Sequence, residues 1–296
     1  MNQIMIGLLL VMAAGMFAHG LWKSRKHHHH YQGIGHKHGG SVLSVDYYAY
    51  ASHMRKWNAT FKVIFSMICL LLCLIFNNIY VSLAVILIMG YMAVVIGGLE
   101  FDHYISMMMI PIVFLLFGSA AIAVGFSWDP IGEYNLSVFG LFYIYCSKAS
   151  LWKAAGLIFK ALGAVSALYM MTLTTPLSEL IVVLRKAHLP KVIIELMNMI
   201  YRYIFIMLDT HSRMKNSAES RLGYVDFRTS CYSFGQVASN LLIVSLKRGT
   251  DYYNALESRC YNGDLMFLEE EKPMKKTQVV GAAAVVALLI VIKLGA

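Results

Sequence analysis

The sequence predicts an all-α integral membrane protein with about six transmembrane helices and a helical cytoplasmic region. Composition gives the first observation, because 58% of the 296 residues are hydrophobic and 14% are charged, whereas soluble domains carry about 25% charged residues. The second is a series of apolar stretches that approach the roughly 20 residues that a spanning helix needs. The third is a contrast along the chain: residues 177–276 hold 14 of the 25 basic and 11 of the 16 acidic side chains, in segments that look amphipathic.

The apolar stretches divide the chain into spans and connections. Asn77-Asn78 supplies a turn within a long uncharged run, Pro111 is expected to bend the next span, and Pro176 stops the one after it. Residues 127–153 are mixed and are predicted to form a loop with a short interfacial helix. The predicted spans are residues 4–22, 62–79, 80–98, 105–126, 154–175 and 279–292. The corresponding domains are an extra N-terminal membrane anchor at 1–22, a His-rich flexible linker at 23–43, transmembrane helices at 44–176, cytoplasmic coupling helices at 177–276 and a C-terminal transmembrane helix at 277–296.

The basic residues predict the orientation of these spans. Lys23, Arg25 and Lys26 follow the first apolar stretch, and lysine and arginine are retained on the cytoplasmic side of membranes. Four spans then return the chain to the cytoplasm at Pro176, where the second basic block begins. Both clusters agree on a multi-pass protein of the cell membrane with a cytoplasmic coupling region and both termini outside. The net charge of +9 is thereby explained without nucleic acid as a partner.

A short repeat lies within the second basic block. Glu219-Ser220-Arg221 recurs as Glu257-Ser258-Arg259, 38 residues later, and each copy is followed by a Gly, a Tyr and an Asp. Each copy is typical of a helix end, where a glycine permits the left-handed backbone that closes the helix and an arginine is favoured by the helix dipole. Two interpretations remain: two surface helices with well-placed arginines, or two equivalent helix ends that dock into the two equivalent pockets of a dimeric partner.

Several motifs resemble, in order, those of one membrane protein family. They are Asp46-Tyr-Tyr-Ala-Tyr50, Arg55-Lys-Trp-Asn58, Thr175-Pro176, Leu189-Pro190 and Tyr201-Arg202-Tyr203. The chain resembles the T component of energy-coupling factor (ECF) importers, specifically the cobalt-type CbiQ family, over about residues 44–294. That family carries two Ala-Arg-Gly-like signatures at the ends of its coupling helices. Here they correspond to Ser220-Arg221-Leu222 and Ser258-Arg259-Cys260, in which the arginine remains while the Ala and the Gly are replaced.

The resemblance implies a transporter permease subunit without catalysis of its own. A dimer of ECF ATPase subunits would bind beneath the membrane and grip Arg221 and Arg259, flanked by Ser220, Ser258, Glu219 and Glu257. The motion would pass to a separate substrate-binding S component (CbiM-like), with a small accessory membrane subunit as a further partner. The sequence contains no glycine-rich loop ending in Lys-Ser or Lys-Thr, so phosphate binding is expected to come from a partner.

Other functions receive less support from the sequence. The cargo is cobalt or nickel if the resemblance holds, and a T component for a vitamin is the alternative. A secondary metal carrier would need ionisable groups at mid-membrane depth, of which the spans offer almost none. A membrane enzyme would need paired carboxylates or a nucleophile motif, and neither is evident.

The polar segment after the first span is rich in histidine. Neutral imidazole is a good ligand for cobalt, nickel, copper and zinc, so we expect loosely bound Co²⁺ or Ni²⁺ here and no tightly bound cofactor. An expression tag or an inert polar filler is the alternative. A cytoplasmic location would favour buffering of metal after entry over capture before it. The candidate ligands are His27, His28, His29, His30, His36 and His38.

Two further stretches are ambiguous in sequence. Residues 192–208 are apolar enough for a span, but Glu195, Asn198 and Arg202 interrupt them. Since a charge at the bilayer centre costs about 3 kcal/mol, we interpret them as a helix between the membrane interior and the cytoplasmic partner. Glu100-Phe-Asp102-His103 contains potential metal ligands, but capping of the third span is the favoured interpretation.

Overall fold

The protein is described by a computed structural model over residues 41–127, 134–138, 142–146, 148–262 and 272–295. The predicted anchor at 1–22 and residues 23–40 of the predicted linker lie outside these ranges. The chain forms two compact units. Among the described residues, the membrane unit comprises those between 45 and 176 and those between 272 and 295, and the hairpin unit comprises residues 41–44 and 177–262.

The membrane unit is built from apolar helices and one small sheet. Its first helix begins at Ser41, within the stretch predicted as linker, and a 3₁₀ helix at His53–Lys56 follows it. A π-helical segment at Met92–Ile96 extends the third helix directly. In chain order the elements are α1 (Ser41–Ala51), α2 (Ala59–Ile75), α3 (Ile79–Tyr91), α4 (Phe101–Ala123), β1 (Val124–Ser127), β2 (Tyr134–Val138), β3 (Phe142–Cys146), α5 (Lys148–Thr174) and α9 (Lys276–Gly295).

Four of the five predicted spans that lie in the described residues coincide with helical stretches that qualify as spans. The span predicted at 62–79 corresponds to the shorter helix α2, and residues 124–126 of the span predicted at 105–126 belong to β1. Four helical stretches in the described residues are long and apolar enough to cross a membrane, and α2 is a shorter apolar helix. The span predicted at 4–22 lies outside the described residues. The fold class, a helical multi-pass membrane protein, is therefore confirmed. The four stretches are Ile79–Ile96, Phe101–Ile122, Ser150–Thr174 and Lys276–Gly295.

Asparagine side chains begin two of these helices. The Asn58 Oδ1 accepts a hydrogen bond from the Phe61 amide at 3.3 Å, and the Asn78 Oδ1 accepts one from the Tyr80 amide at 3.0 Å. Such caps satisfy amides that lack partners in the first helical turn. The turn predicted at Asn77-Asn78 is thereby confirmed, with Asn78 as the cap of α3.

The stretch between α4 and α5 corrects the sequence prediction of a loop with an interfacial helix. It contains a three-stranded antiparallel sheet in the order β1-β3-β2, with Ile144 of the central strand opposite both Phe126 and Leu136. The central strand reads Phe-Tyr-Ile-Tyr-Cys, and aromatic and β-branched residues favour strands. The residues 148–153, predicted as part of the same loop, form the first turns of α5 instead.

Helix α5 lies against α2, α3 and α4 at the centre of the membrane unit. The Ser66 hydroxyl donates to the Ala167 carbonyl at 2.8 Å, and the Tyr104 and Ser166 hydroxyls lie 2.9 Å apart. A Cβ on Gly163 would lie 2.7 Å from the Cys73 sulfur. Small and hydroxyl-bearing residues thus permit close helix approach, as is common inside membrane bundles.

Contacts define two ends of the membrane unit. At one end the His53 amide donates to the Gly97 carbonyl at 3.0 Å. At the other, the Lys293 ammonium lies 4.2 Å from the centre of the Phe76 ring, and the Lys160 ammonium lies 3.5 Å from the Asn77 Oδ1. Lys160 therefore extends its charge toward the turn between α2 and α3, as expected of a lysine that snorkels.

The motif from Asp46 to Tyr50 packs at the end of the membrane unit where His53 bonds to Gly97. The Tyr48 ring lies 5.2 Å from the His103 ring, and His103 Nδ1 lies 3.0 Å from a Glu100 carboxylate oxygen. Burial, and then the charge of Glu100, raise the pKa of Tyr48. Glu100 and His103 thus contact each other across the first turn of α4. The described residues contain no group of three or more potential metal ligands.

Residues 177–262 of the hairpin unit form three helices: α6 (Leu177–Lys186), α7 (Lys191–Glu219) and α8 (Phe227–Glu257). The Tyr203 and Tyr252 rings meet edge to face at 5.6 Å, so α7 and α8 run antiparallel. Residues 192–208 are confirmed as helical within α7. Neither α7 nor α8 is among the described helices that qualify as spans, although both exceed the required length.

Candidate coupling site at two helix ends

The first copy of the repeat closes α7. The Ser220 amide donates to the Asn216 carbonyl at 2.9 Å, and the Gly223 amide reaches back to the Ala218 carbonyl at 2.9 Å. Leu222 between them adopts a left-handed backbone with φ of 58°. This backward bond around a left-handed residue is the Schellman closure of a helix. Arg221 lies inside the closing turn.

The second copy closes α8 in the same way. The Ser258 amide donates to the Asn254 carbonyl at 3.0 Å, and the Tyr261 amide reaches back to the Leu256 carbonyl at 3.1 Å. Cys260 is left-handed with φ of 60°. Every one of these positions lies 38 residues after its counterpart in the first copy. The repeat seen in sequence is therefore a repeat of backbone geometry.

The structure corrects the role predicted for the glycine that follows the first copy. The left-handed residues are Leu222 and Cys260, whereas Gly223 has no left-handed φ. Gly223 is needed for space, because a Cβ there would lie 2.6 Å from the Ser233 hydroxyl and 2.8 Å from the Ala218 carbonyl oxygen. The glycine of the second copy, Gly263, lies outside the described residues.

The six predicted site residues are all exposed. The Ser220 hydroxyl donates to the Asn216 carbonyl at 2.8 Å, and the Ser258 hydroxyl donates to the Ala255 carbonyl at 3.1 Å. Both serines therefore bond within their own helix. In the described part of the chain, neither Arg221 nor Arg259 forms a salt bridge. Both guanidinium groups are thus available to a partner, as are Glu219 and Glu257.

Exposed apolar side chains flank the first helix end. Leu222, Val225 and Phe227 are 72%, 67% and 87% exposed. Tyr253, 60% exposed, lies one and a half turns before the second end. Arginine beside exposed aromatic and aliphatic groups is the composition of protein interfaces, where both are enriched. Each helix end therefore has the chemistry of a docking surface.

One contact, missed in the sequence, distinguishes the two ends. The Tyr261 hydroxyl donates to the buried Glu195 carboxylate at 2.8 Å, which attaches the end of α8 to the start of α7. The equivalent position after α7 is Gly223, which has no side chain to offer. A buried acid in an apolar helix is the sequence signal that predicts such a partner, but its identity depends on tertiary pairing across 66 residues.

The predicted metal ligands of the histidine tract, His27 to His38, lie outside the described residues. The structure therefore gives the helix-end residues the same backbone closure at both ends. Metal binding by the histidine tract stays a prediction.

Comparison with known proteins identifies the family. The model of the CbiQ cobalt transport protein family matches residues 51–272. The chain belongs to the CbiQ family. This assignment places it among membrane transport proteins.

Individual relatives agree with the family assignment. The chain is 30% identical over 247 residues to a putative fused cobalt transport protein CbiMQ of Methanocorpusculum labreanum, covering 83% of this chain and 41% of the relative. It is 28% identical over 158 residues to the cobalt transport protein CbiQ of Salmonella typhimurium, covering 53% of this chain and 70% of the relative. The chain thus spans less than half of the fused relative.

Proposed function

We propose that this CbiQ-family protein is the transmembrane coupling subunit of an ATP-driven ECF-type cobalt or nickel importer. The observation that carries the proposal is the pair of helix ends. Both close with the same hydrogen bonds around a left-handed residue, and both present an exposed arginine at the same position.

Two equivalent ends suit a partner with two equivalent pockets. A dimer of ATPase subunits offers such pockets through its two-fold symmetry. An arginine guanidinium grips a carboxylate with paired hydrogen bonds, so Arg221 and Arg259 would each bind an acidic group of one ATPase subunit. This chain itself then performs no catalysis, and the ATPase subunits hydrolyse ATP.

The hairpin would carry the motion. ATP binding would move the two ATPase subunits and with them the ends of α7 and α8. These helices contact each other at Tyr203 and Tyr252, and the end of α8 is attached to α7 through Tyr261 and Glu195. Displacement of one end is therefore resisted by the other helix, which lets the hairpin transmit force.

A cytoplasmic location of the hairpin unit follows from the same proposal. Its support is the concentration of charged side chains between residues 177 and 276 and the absence of α7 and α8 from the described candidate spans. Charged helices of this kind are retained on the side that carries lysine and arginine.

The partner that binds the metal would be a CbiM-like S component. Its support is the name of the fused relative, which combines CbiM and CbiQ. A small accessory membrane subunit would complete the assembly. A vitamin as cargo remains the alternative, and the CbiQ family match favours cobalt over it.

We test the proposal with Arg221→Ala/Arg259→Ala. Truncating one member of a desolvated charge pair costs about 2–5 kcal/mol, so we expect the double variant to bind the ATPase subunits of the same organism roughly 100-fold or more weakly. Uptake of Co²⁺ or Ni²⁺ should be lost with binding. The measurement is co-purification of the full complex from membranes, followed by metal uptake into cells.

The matched control is Arg213→Ala/Arg248→Ala. It removes two arginines from the same two helices away from their ends, where Arg213 pairs with Asp209 at 3.0 Å. We expect assembly and uptake close to wild type. Assembly and uptake that survive in the Arg221→Ala/Arg259→Ala variant would refute the proposed coupling role.

A further inference from the structure

Residues 177–271, which carry α6 to α8, join the membrane unit through two chain connections. One lies between Pro176 and Leu177, and the chain returns to the membrane unit at Lys272. Any force that residues 177–271 pass on through the backbone must cross these points. The residues that hold Thr174 and Lys272 within the membrane unit therefore decide how rigidly each connection is attached.

The outgoing connection is held by a buried lysine. Lys62 in the first turn of α2 is fully buried, and its ammonium donates to the Thr174 carbonyl at 2.7 Å. Thr174 is the last residue of α5, where the helix dipole favours a positive charge. Carbonyls at a helix end lack helical partners, and Pro176 provides no amide of its own. Lys62 thus caps α5 two residues before the boundary.

The returning connection is held by the same short segment. The Asn58 side-chain amide donates to the Lys272 carbonyl at 2.7 Å, and the Lys272 ammonium donates to the Arg55 carbonyl at 2.7 Å. The Arg55 guanidinium in turn lies 5.1 Å from the centre of the Tyr50 ring at the end of α1. Lys272 is therefore fixed through both its backbone and its side chain.

We propose that Arg55, Asn58 and Lys62 form a junction clamp that holds both connections of residues 177–271 and transmits the displacement of α6 to α8 to the membrane helices. Lys62 and Asn58 are its positioning residues, and neither touches cargo or nucleotide. The inference rests on the proposed function, because it names the route by which coupling motion enters the membrane unit.

The geometry explains how one short segment can form hydrogen bonds to both chain connections. Asn58 uses its Oδ1 to cap α2 and its Nδ2 to hold Lys272, so the start of α2 and the returning chain share one side chain. Lys62 lies one turn further along the same helix. A displacement of either connection therefore acts on the first turn of α2.

The test uses variants that remove the clamp bonds and retain local structure. Lys62→Met keeps the length and removes the ammonium. Asn58→Ser keeps an N-cap oxygen for α2 and removes the amide that reaches Lys272. Lys56→Met is the matched control, since Lys56 is exposed in the same segment. Lys62→Arg tests rescue by a conservative change.

The measurement is made on the complete importer in proteoliposomes, as ⁵⁷Co²⁺ uptake per ATP hydrolysed. We expect Lys62→Met and Asn58→Ser each to assemble and hydrolyse ATP while uptake per ATP falls about tenfold, with Lys62→Arg recovering part of it and Lys56→Met unchanged. Amide hydrogen exchange at residues 174, 175 and 177 and at residues 272 and 274–276 should rise in the same two variants.

Three outcomes are distinguishable. Unchanged uptake per ATP in both variants overturns the clamp and leaves the ATPase partnership intact. A proportional loss of ATP hydrolysis and uptake also overturns it, because the residues then maintain assembly only. If the Lys62→Met protein does not accumulate in membranes, the uptake per ATP of the Asn58→Ser variant alone tests the clamp. A wild-type chain that binds no ATPase would instead overturn the proposed function itself.

Discussion

At the scale of single residues, three helix ends of the hairpin unit adopt a costly backbone conformation. A left-handed backbone costs a non-glycine residue about 1–3 kcal/mol, yet His188, Leu222 and Cys260 all adopt it. Each follows the C-terminus of one helix of the hairpin unit. Glycine would relieve the strain at Leu222 and Cys260, whose side chains are exposed at the two helix ends.

This strain gives a direct prediction. Leu222→Gly and Cys260→Gly should each stabilise the purified protein by about 1 kcal/mol, because glycine adopts this φ without a Cβ clash. Gly223→Ala should have the opposite effect, since its Cβ would meet the Ser233 hydroxyl. The measurement is thermal unfolding in detergent. Destabilisation by both glycine variants would show that the left-handed closure is absent.

At the scale of elements, the sequence predicted what depends on local signals. The apolar runs predicted the described spans, and Asn58 and Asn78 began helices where short polar side chains precede apolar stretches. The sheet was missed because its strands are only four or five residues long and lie in a stretch of mixed polarity. The clamp was missed because it joins residues that are distant in sequence, such as Lys62 and Thr174 across 112 residues.

The repeat shows both what local sequence signals predicted and what they missed. The 38-residue spacing, visible in sequence, predicted two equivalent helix ends, and their backbones agree. The residue that turns left-handed was predicted wrongly, because glycine is the usual choice and here Leu222 and Cys260 take the position. The attachment of Tyr261 to Glu195 required the antiparallel pairing of α7 and α8, which no local pattern encodes.

The histidine tract predicts metal binding as an independent element. Replacing all six histidines of residues 27–38 with glutamine should lower the Ni²⁺ and Co²⁺ retained by the purified chain several-fold, with Ni²⁺ held more tightly than Co²⁺. Retention should also weaken as the pH falls through about 6.5, because protonated imidazole cannot ligate. Equilibrium dialysis measures both effects.

The control for the tract replaces Lys23, Arg25 and Lys26 with glutamine, which changes charge and keeps every imidazole. It should retain metal as the wild type does. Equal retention by the six-histidine variant and this control would identify the tract as inert polar sequence.

At the scale of the whole molecule, the two units differ in their content of charged side chains. The membrane unit surrounds α5 with apolar helices and presents little charge to lipid, whereas the hairpin unit carries most of the ionised side chains. Charge is costly inside a bilayer, so this composition supports the proposal that the hairpin unit lies outside the bilayer and meets soluble partners. In that proposal the junction clamp connects the two units.

Cys260 offers the most direct test of the proposal that the helix ends bind ATPase subunits on the cytoplasmic side. Its side chain is exposed and adjoins Arg259. In a chain with Cys146→Ser and Cys231→Ser, it is the remaining exposed thiol of the described residues, since Cys69 and Cys73 are buried. A membrane-impermeant maleimide should label it in inverted vesicles but not in intact cells, and bound ATPase subunits should slow that labelling at least tenfold. Labelling from outside intact cells, or a rate that ATPase binding leaves unchanged, would contradict the account.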